Sequence, residues 1–232
     1  MNASLAVHTP SLTHQSTLAD IAATHPVSLK VFHRHGLDFC CGGQRALAKA
    51  CERDGLDAQQ VLDEIAALEV TQEDVRWDSA PLTQLVDHIV ARHHRPLDEE
   101  LPRLEAMARR VNTVHGEKNP AKFQALLDTV LALREELDTH LVKEETVLFP
   151  WIQSGRPAAD AQAPVRALML EHEAVGDLLR KTRELTDGYV APLGACGTWR
   201  GLWAGLAELE VDLHRHIHLE NNVLFPRALQ VA

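Results

Sequence analysis

The chain has 232 residues, a formal net charge of −10 and 45% hydrophobic residues, which suits one large or two small domains. That acidity argues against non-specific binding to nucleic acid or an anionic membrane surface, and the apolar content argues against wholesale disorder. Ala, Leu, Glu and Arg dominate, with five Phe, four Trp and one Tyr and few β-branched runs, so an all-α fold is expected. Met1–Thr17 lacks the basic start and apolar core of a signal peptide, and no run approaches a membrane span. Four Cys, two of them adjacent, do not make a disulfide framework, so a reducing cytoplasm is the expected location. Fourteen His is the count that needs explaining.

In chain order, residues 1–16 are polar and read as mobile. Thr17-Leu18-Ala19-Asp20 opens a helix with Thr17 as its cap, and Pro26 breaks it. Val27–His35 predicts a second short helix ended by Gly36. Leu37–Gly43 then reads as a loop carrying Cys40-Cys41, and Ala46–Arg53 and Ala58–Leu68 as two further helices separated by Gly55. Residues 1–69 thus form a small helical domain, with Val70–Ser79 as a linker.

Residues 80–232 predict four long helices. The first spans Pro81–Val114, where Pro96 and Pro102 predict a kink near Arg92–Asp98. The second spans Ala121–Leu148 and stops before Pro150, the third Pro164–Thr186, and the fourth Thr198–Leu224. Four helices of this length with modest loops predict an antiparallel four-helix bundle.

One segment occurs twice. His140–Pro150 and His216–Pro226 both read H-x3-E-x2-V-L-F-P. Residues four apart share a helix face, so each copy points an imidazole and a carboxylate the same way. Leu126, Val130, Leu133 and Leu137 lead into His140, Glu144 and Val147, while Leu202, Leu206, Leu209 and Leu213 lead into His216, Glu220 and Val223. The His and Glu therefore occupy core positions, where an ionised carboxylate pairs or binds metal. A buried polar network without metal is the alternative. His172 lies in the core stripe of the third helix, and His93 and His94 border that of the first; periodicity does not choose between these two. His88 reads as structural, His115 as solvent-facing and His218 as peripheral. Four imidazoles and two carboxylates exceed one tetrahedral zinc and suit two bridged metals, iron or manganese before calcium or magnesium. Haem is the weaker alternative, since there is no C-x-x-C-H.

These motifs, with Asp38-Phe39-Cys40-Cys41-Gly42-Gly43, resemble hemerythrin-like domains and, from about Thr17 to Leu229, the repair of iron centres (RIC) family of di-iron proteins. The resemblance implies two non-haem irons, oxo-bridged, with His94, His140, Glu144, His172, His216 and Glu220 as ligands and both Glu as bridges. It selects His94 over His93. Glu136 and Glu171 match acidic positions of the family and are expected either to support the ligands or to line an iron path, the alternative being solvated helix charges.

The implied role is repair of iron–sulfur clusters damaged by nitrosative or oxidative stress, by iron donation, with damaged iron–sulfur proteins as partners. No catalytic residue is assigned. The alternative readings are a di-iron protein that binds or reduces nitric oxide and an oxygen carrier or sensor. Cys40-Cys41 reads as free thiols, a vicinal disulfide, or ligands for transient metal, which a homodimer can share; the alternative is two small residues in a turn. His33, His35 and the flexible Gly42-Gly43 favour metal or redox chemistry there, and Cys51 and Cys196 read as structural.

Overall fold

The hydroxyl of Thr17 accepts the Asp20 N–H at 3.0 Å and so caps the first helix, as its sequence predicts. In this computed structural model residues 12–69, 76–155 and 161–230 are described, and no strand occurs among them. Residues 1–11 of the expected mobile start, 70–75 of the expected linker and 156–160 of the loop before the third long helix lie outside the described residues. The chain divides into two compact units, Met1–Ala80 and Pro81–Ala232.

The first unit holds α1 (Leu18–Thr24), α2 (Ser28–His35), α3 (Leu47–Asp54) and α4 (Ala58–Ala66). Leu18, Ile21, Val31, Phe32, Phe39, Leu47, Val61 and Ile65 form its core. Gly36 and Gly55 end α2 and α3 at φ 67° and 70°, a conformation that disfavours a side chain. The first N–H groups of α1 have no partner within the helix. Those of Leu18 and Ala19 instead donate to the carbonyls of Arg45 and Gly43 at 3.0 and 2.8 Å, which ties the cysteine loop to the start of α1.

In the second unit the first column is α5 (Leu82–Ile89), a π-helical turn at Val90–His94, and α6 (Arg95–His115). The second is α7 (Pro120–Lys143), a π turn at Glu144–Leu148, and α8 (Phe149–Gln153). The third is α9 (Gln162–Leu185). The fourth is α10 (Gly197–His218), a π turn at Leu219–Leu224, and α11 (Phe225–Ala228). α6 packs on α7, α7 on α9, α9 on α10 and α10 back on α6, which closes the four-helix bundle.

Two expectations are corrected by the π turns. The columns do not stop at Pro150 and Pro226, and Pro96 follows a widened turn at the place where a kink is expected. Proline lacks an N–H, and its ring collides with the carbonyl four residues back. In each case that carbonyl belongs to a π turn, closed by an i→i−5 bond: Arg95 N–H to Val90, Phe149 N–H to Glu144, Phe225 N–H to Glu220. The extra residue per turn also shifts the helical phase. Val147, which the stripe places inside, is 58% exposed, and Leu148 takes the buried position.

Close approach of α10 to α6 depends on Gly205, where an added Cβ would lie 2.7 Å from Leu104 Cδ2 and from an Arg103 nitrogen. Gly205→Leu is expected to destabilise the bundle by about 1–3 kcal/mol through overpacking, read as a lower urea midpoint at unchanged slope. No helix among the described residues is long and apolar enough to cross a membrane.

Candidate metal centre

Each π turn carries one of the candidate donors: His94 ends the first, Glu144 begins the second and Glu220 lies in the third. π turns recur at functional sites because the extra residue re-aims the side chains around it. Here they carry His94, Glu144 and Glu220 into the bundle core, which His140, His172 and His216 also face, and each of the six is at most 2% exposed.

The six residues form two sets of donors, each compact enough to surround one cation, and both carboxylates belong to both sets. His94, His216, Glu144 and Glu220 make the first; His140, His172, Glu144 and Glu220 make the second. All four imidazoles present Nε2 inward. His94 Nε2 lies 3.0 Å from His216 Nε2, and His140 Nε2 lies 2.9 Å from His172 Nε2. Glu144 stands between the sets, its oxygens 3.5 Å from His94 Nε2 and 3.3 Å from His140 Nε2. Glu220 does the same, 3.0 Å from His216 Nε2 and 3.3 Å from His172 Nε2.

The outer ring nitrogens explain why Nε2 faces inward. His94 Nδ1 is 3.0 Å from Glu145 Oε1, His140 Nδ1 is 2.9 Å from Glu171 Oε2, and His172 Nδ1 is 2.8 Å from Asn221 Oδ1. Each partner is an acceptor, so the ring proton sits on Nδ1 and the Nε2 lone pair is left for a cation. Glu145 and Glu171 are themselves held, by Arg95 and by Lys143. Although burial works against it, Arg95 and His94 keep Glu145 below the usual carboxylate range, and Lys143 and His140 do so for Glu171.

This cluster demands positive charge. Neither oxygen of Glu144 accepts a hydrogen bond, although both are buried. Burial would push Glu220 up, yet His216, His172 and His94 hold its carboxyl well below the usual range. Burial would likewise lower His140, but Glu144, Glu220 and Glu171 carry it up to about 9. Two buried carboxylates facing four nitrogen donors, with unsatisfied oxygens aimed at the centre, fit bound metal better than a self-contained polar network. Nitrogen and oxygen donors without thiolate suit iron or manganese.

The hemerythrin HHE cation-binding domain model matches residues 85–228, and a domain of unknown function, DUF542, matches residues 14–69. The iron-sulfur cluster repair protein YtfE of Yersinia pseudotuberculosis serotype IB is 42% identical over 217 residues, covering 92% of this chain and 96% of that protein. YtfE of Yersinia pestis strain Pestoides F matches with the same identity and coverage. The chain belongs to the iron-sulfur cluster repair YtfE family. Every group of the bundle cluster lies inside the hemerythrin match, and the Cys40-Cys41 loop lies inside the DUF542 match.

In that loop Cys40 is buried and Cys41 half-buried, and neither forms a disulfide, their sulfurs being 3.9 Å apart. Asp38 Oδ1 accepts the Cys41 N–H at 3.0 Å and the Cys40 thiol at 3.5 Å. The three side chains form a third group compact enough for a cation. The hydrogen bond to Cys41, burial, and the nearby charges of Cys41 and Asp38 push the Cys40 thiol well up. His35 bonds Glu64 at 3.0 Å instead of the sulfurs. Gly42 serves close approach and not flexibility, since a Cβ there would lie 2.8 Å from the Asp38 carboxylate.

Glu171 meets the His140 imidazole, whereas Glu136 is exposed on α7 outside the cluster. His93 is buried, its ring parallel to that of His216 at 5.4 Å and its Nδ1 3.0 Å from Asp212. His88 is half-buried with its ring edge-on to His93 at 5.7 Å. Two expectations fail: His218 is buried, not peripheral, and accepts from Asn222 at 3.3 Å; His115 is half-buried on the Trp199 ring, not solvent-facing. For His115 a ring contact between columns recruits a residue that lies outside the apolar stripe. Cys51 is buried; Cys196 is exposed at the start of α10, against His115. Glu145 and Asn221 are not singled out by helical periodicity. Both directly follow a motif glutamate, as the second residue of Glu144-Glu145 and of Glu220-Asn221, and that adjacency was the available signal.

Proposed function

We propose that the chain holds two non-haem irons, joined by Glu144, Glu220 and an oxo bridge, and supplies iron for repair of damaged iron–sulfur clusters. His94 and His216 hold one iron, and His140 and His172 the other. The observation that carries this reading is the sharing of both buried carboxylates between two sets of imidazoles. The YtfE relatives, named as iron-sulfur cluster repair proteins, support the choice of iron and of repair.

Iron held by imidazole and carboxylate without thiolate exchanges readily, which is the property a donor needs. The protein's own groups do the rest. Glu145, Glu171 and Asn221 hold ring protons at Nδ1 and so aim the opposite nitrogens. Phe149 stacks on His94 at 5.4 Å and Phe225 on His172 at 6.0 Å, which keeps water from that side of each ring. The acceptors are damaged iron–sulfur proteins of a reducing cytoplasm, where Cys40 and Cys41, as thiols, take up metal transiently with Asp38.

Iron-loaded protein mixed with an enzyme whose cluster has been damaged is expected to restore activity faster than the same amount of free ferrous iron. Equal rates would remove the donor role. Metal content and Mössbauer spectra of the same preparation test the paired irons separately.

A further inference from the structure

The two halves of the bundle repeat one frame, and the frame supplies an internal comparison. His94 corresponds to His172, His140 to His216, and Glu144 to Glu220. In both halves the residue after the glutamate accepts from an imidazole: Glu145 from His94 and Asn221 from His172. In one half the residue before the first histidine does so as well, since Glu171, before His172, accepts from His140. The corresponding residue before His94 is His93, and there the correspondence breaks. His93 lays its ring face on His216 at 5.4 Å and 10°, and its Nδ1 is engaged by Asp212. His216 Nδ1 is buried and has no hydrogen-bond partner.

We infer that the two cation positions are unequal and that the metal between His94 and His216 is given up first, because His93 stands where an acceptor for His216 Nδ1 belongs. This rests on the reading of the cluster as a two-iron centre. Each position has one imidazole backed by a carboxylate, His94 by Glu145 and His140 by Glu171. They differ in the second imidazole: His172 is backed by the Asn221 amide, His216 by nothing. An acceptor at Nδ1 makes the imidazole a stronger donor and fixes its plane, and loss of such a partner typically weakens metal binding about 10–100-fold. Stacking by His93 fixes the plane without strengthening the donor. A donor built this way can release one iron while the second keeps the bundle core filled.

The test uses the full-length chain loaded anaerobically with ferrous iron and mixed with an excess of a coloured ferrous chelator. Wild type is expected to release one equivalent about 10–100-fold faster than the other. His93→Glu supplies the missing acceptor and is expected to slow the fast phase alone. Glu171→Leu removes an acceptor from the other position and is expected to speed the slow phase alone. Glu171 has a side chain 24% exposed, so this second arm decides the matter if the buried His93→Glu change prevents folding. Release of both equivalents in one phase, or Glu171→Leu acting on the fast phase, overturns the inference while leaving the centre intact. Failure of folded wild type to take up ferrous iron overturns the centre itself and the inference with it.

Discussion

Glu144→Ala will strip both cations from the bundle, whereas His172→Ala will strip only one. The difference follows from membership: Glu144 belongs to both donor sets and His172 to one. Losing Glu144 leaves each position its two imidazoles and only a share of Glu220, too few donors for either. Losing His172 leaves His94, His216, Glu144 and Glu220 as a complete set. Metal analysis after desalting should therefore give near zero per chain for the glutamate variant and near one for the histidine variant. A Glu144→Ala chain that keeps one cation would show that the carboxylates are not shared.

Removing the metal will lower the melting temperature of the bundle by roughly 8–16 °C. Free metal at a thousandfold excess over its dissociation constant stabilises the folded state by about 4 kcal/mol, and each kcal/mol moves a chain of this size by about 2–4 °C. The metal-free core keeps Glu144 and Glu220 at 0% exposure with their charge countered only by imidazoles. Replacing both carboxylates by Leu should reverse the sign. The metal-free Glu144→Leu/Glu220→Leu variant should be more stable than metal-free wild type by about 1–4 kcal/mol, while binding no iron. Scanning calorimetry with and without chelator checks both statements, and equal melting temperatures for loaded and stripped wild type would contradict the first. Stability is given up at the place where function resides.

Most of the fold was legible because its signals are local. Thr17, Gly36 and Gly55 mark helix ends through their own hydroxyl or φ, and those ends stand where they were expected. The lengths of the long columns were less legible. Pro150 and Pro226 read as stops, but a π turn moves the clashing carbonyl away and the helix runs on to Gln153 and to Ala228. The same turn reverses the burial of Val147 and Leu148, because a fixed helical period cannot register one added residue.

The sequence by itself determined the all-helical bundle and five of the six inward-facing donors, since helical periodicity states which side chains share a face of their own helix but does not choose between His93 and His94. Only the tertiary structure decided which imidazoles meet. His94 pairs with His216 and His140 with His172, across 122 and 32 residues of chain. It also decided that Glu145, Glu171 and Asn221 accept from the imidazoles of the cluster while His93 does not. Those choices depend on the axial register and rotation of one helix against another, which packing of the whole core sets and no local spacing encodes.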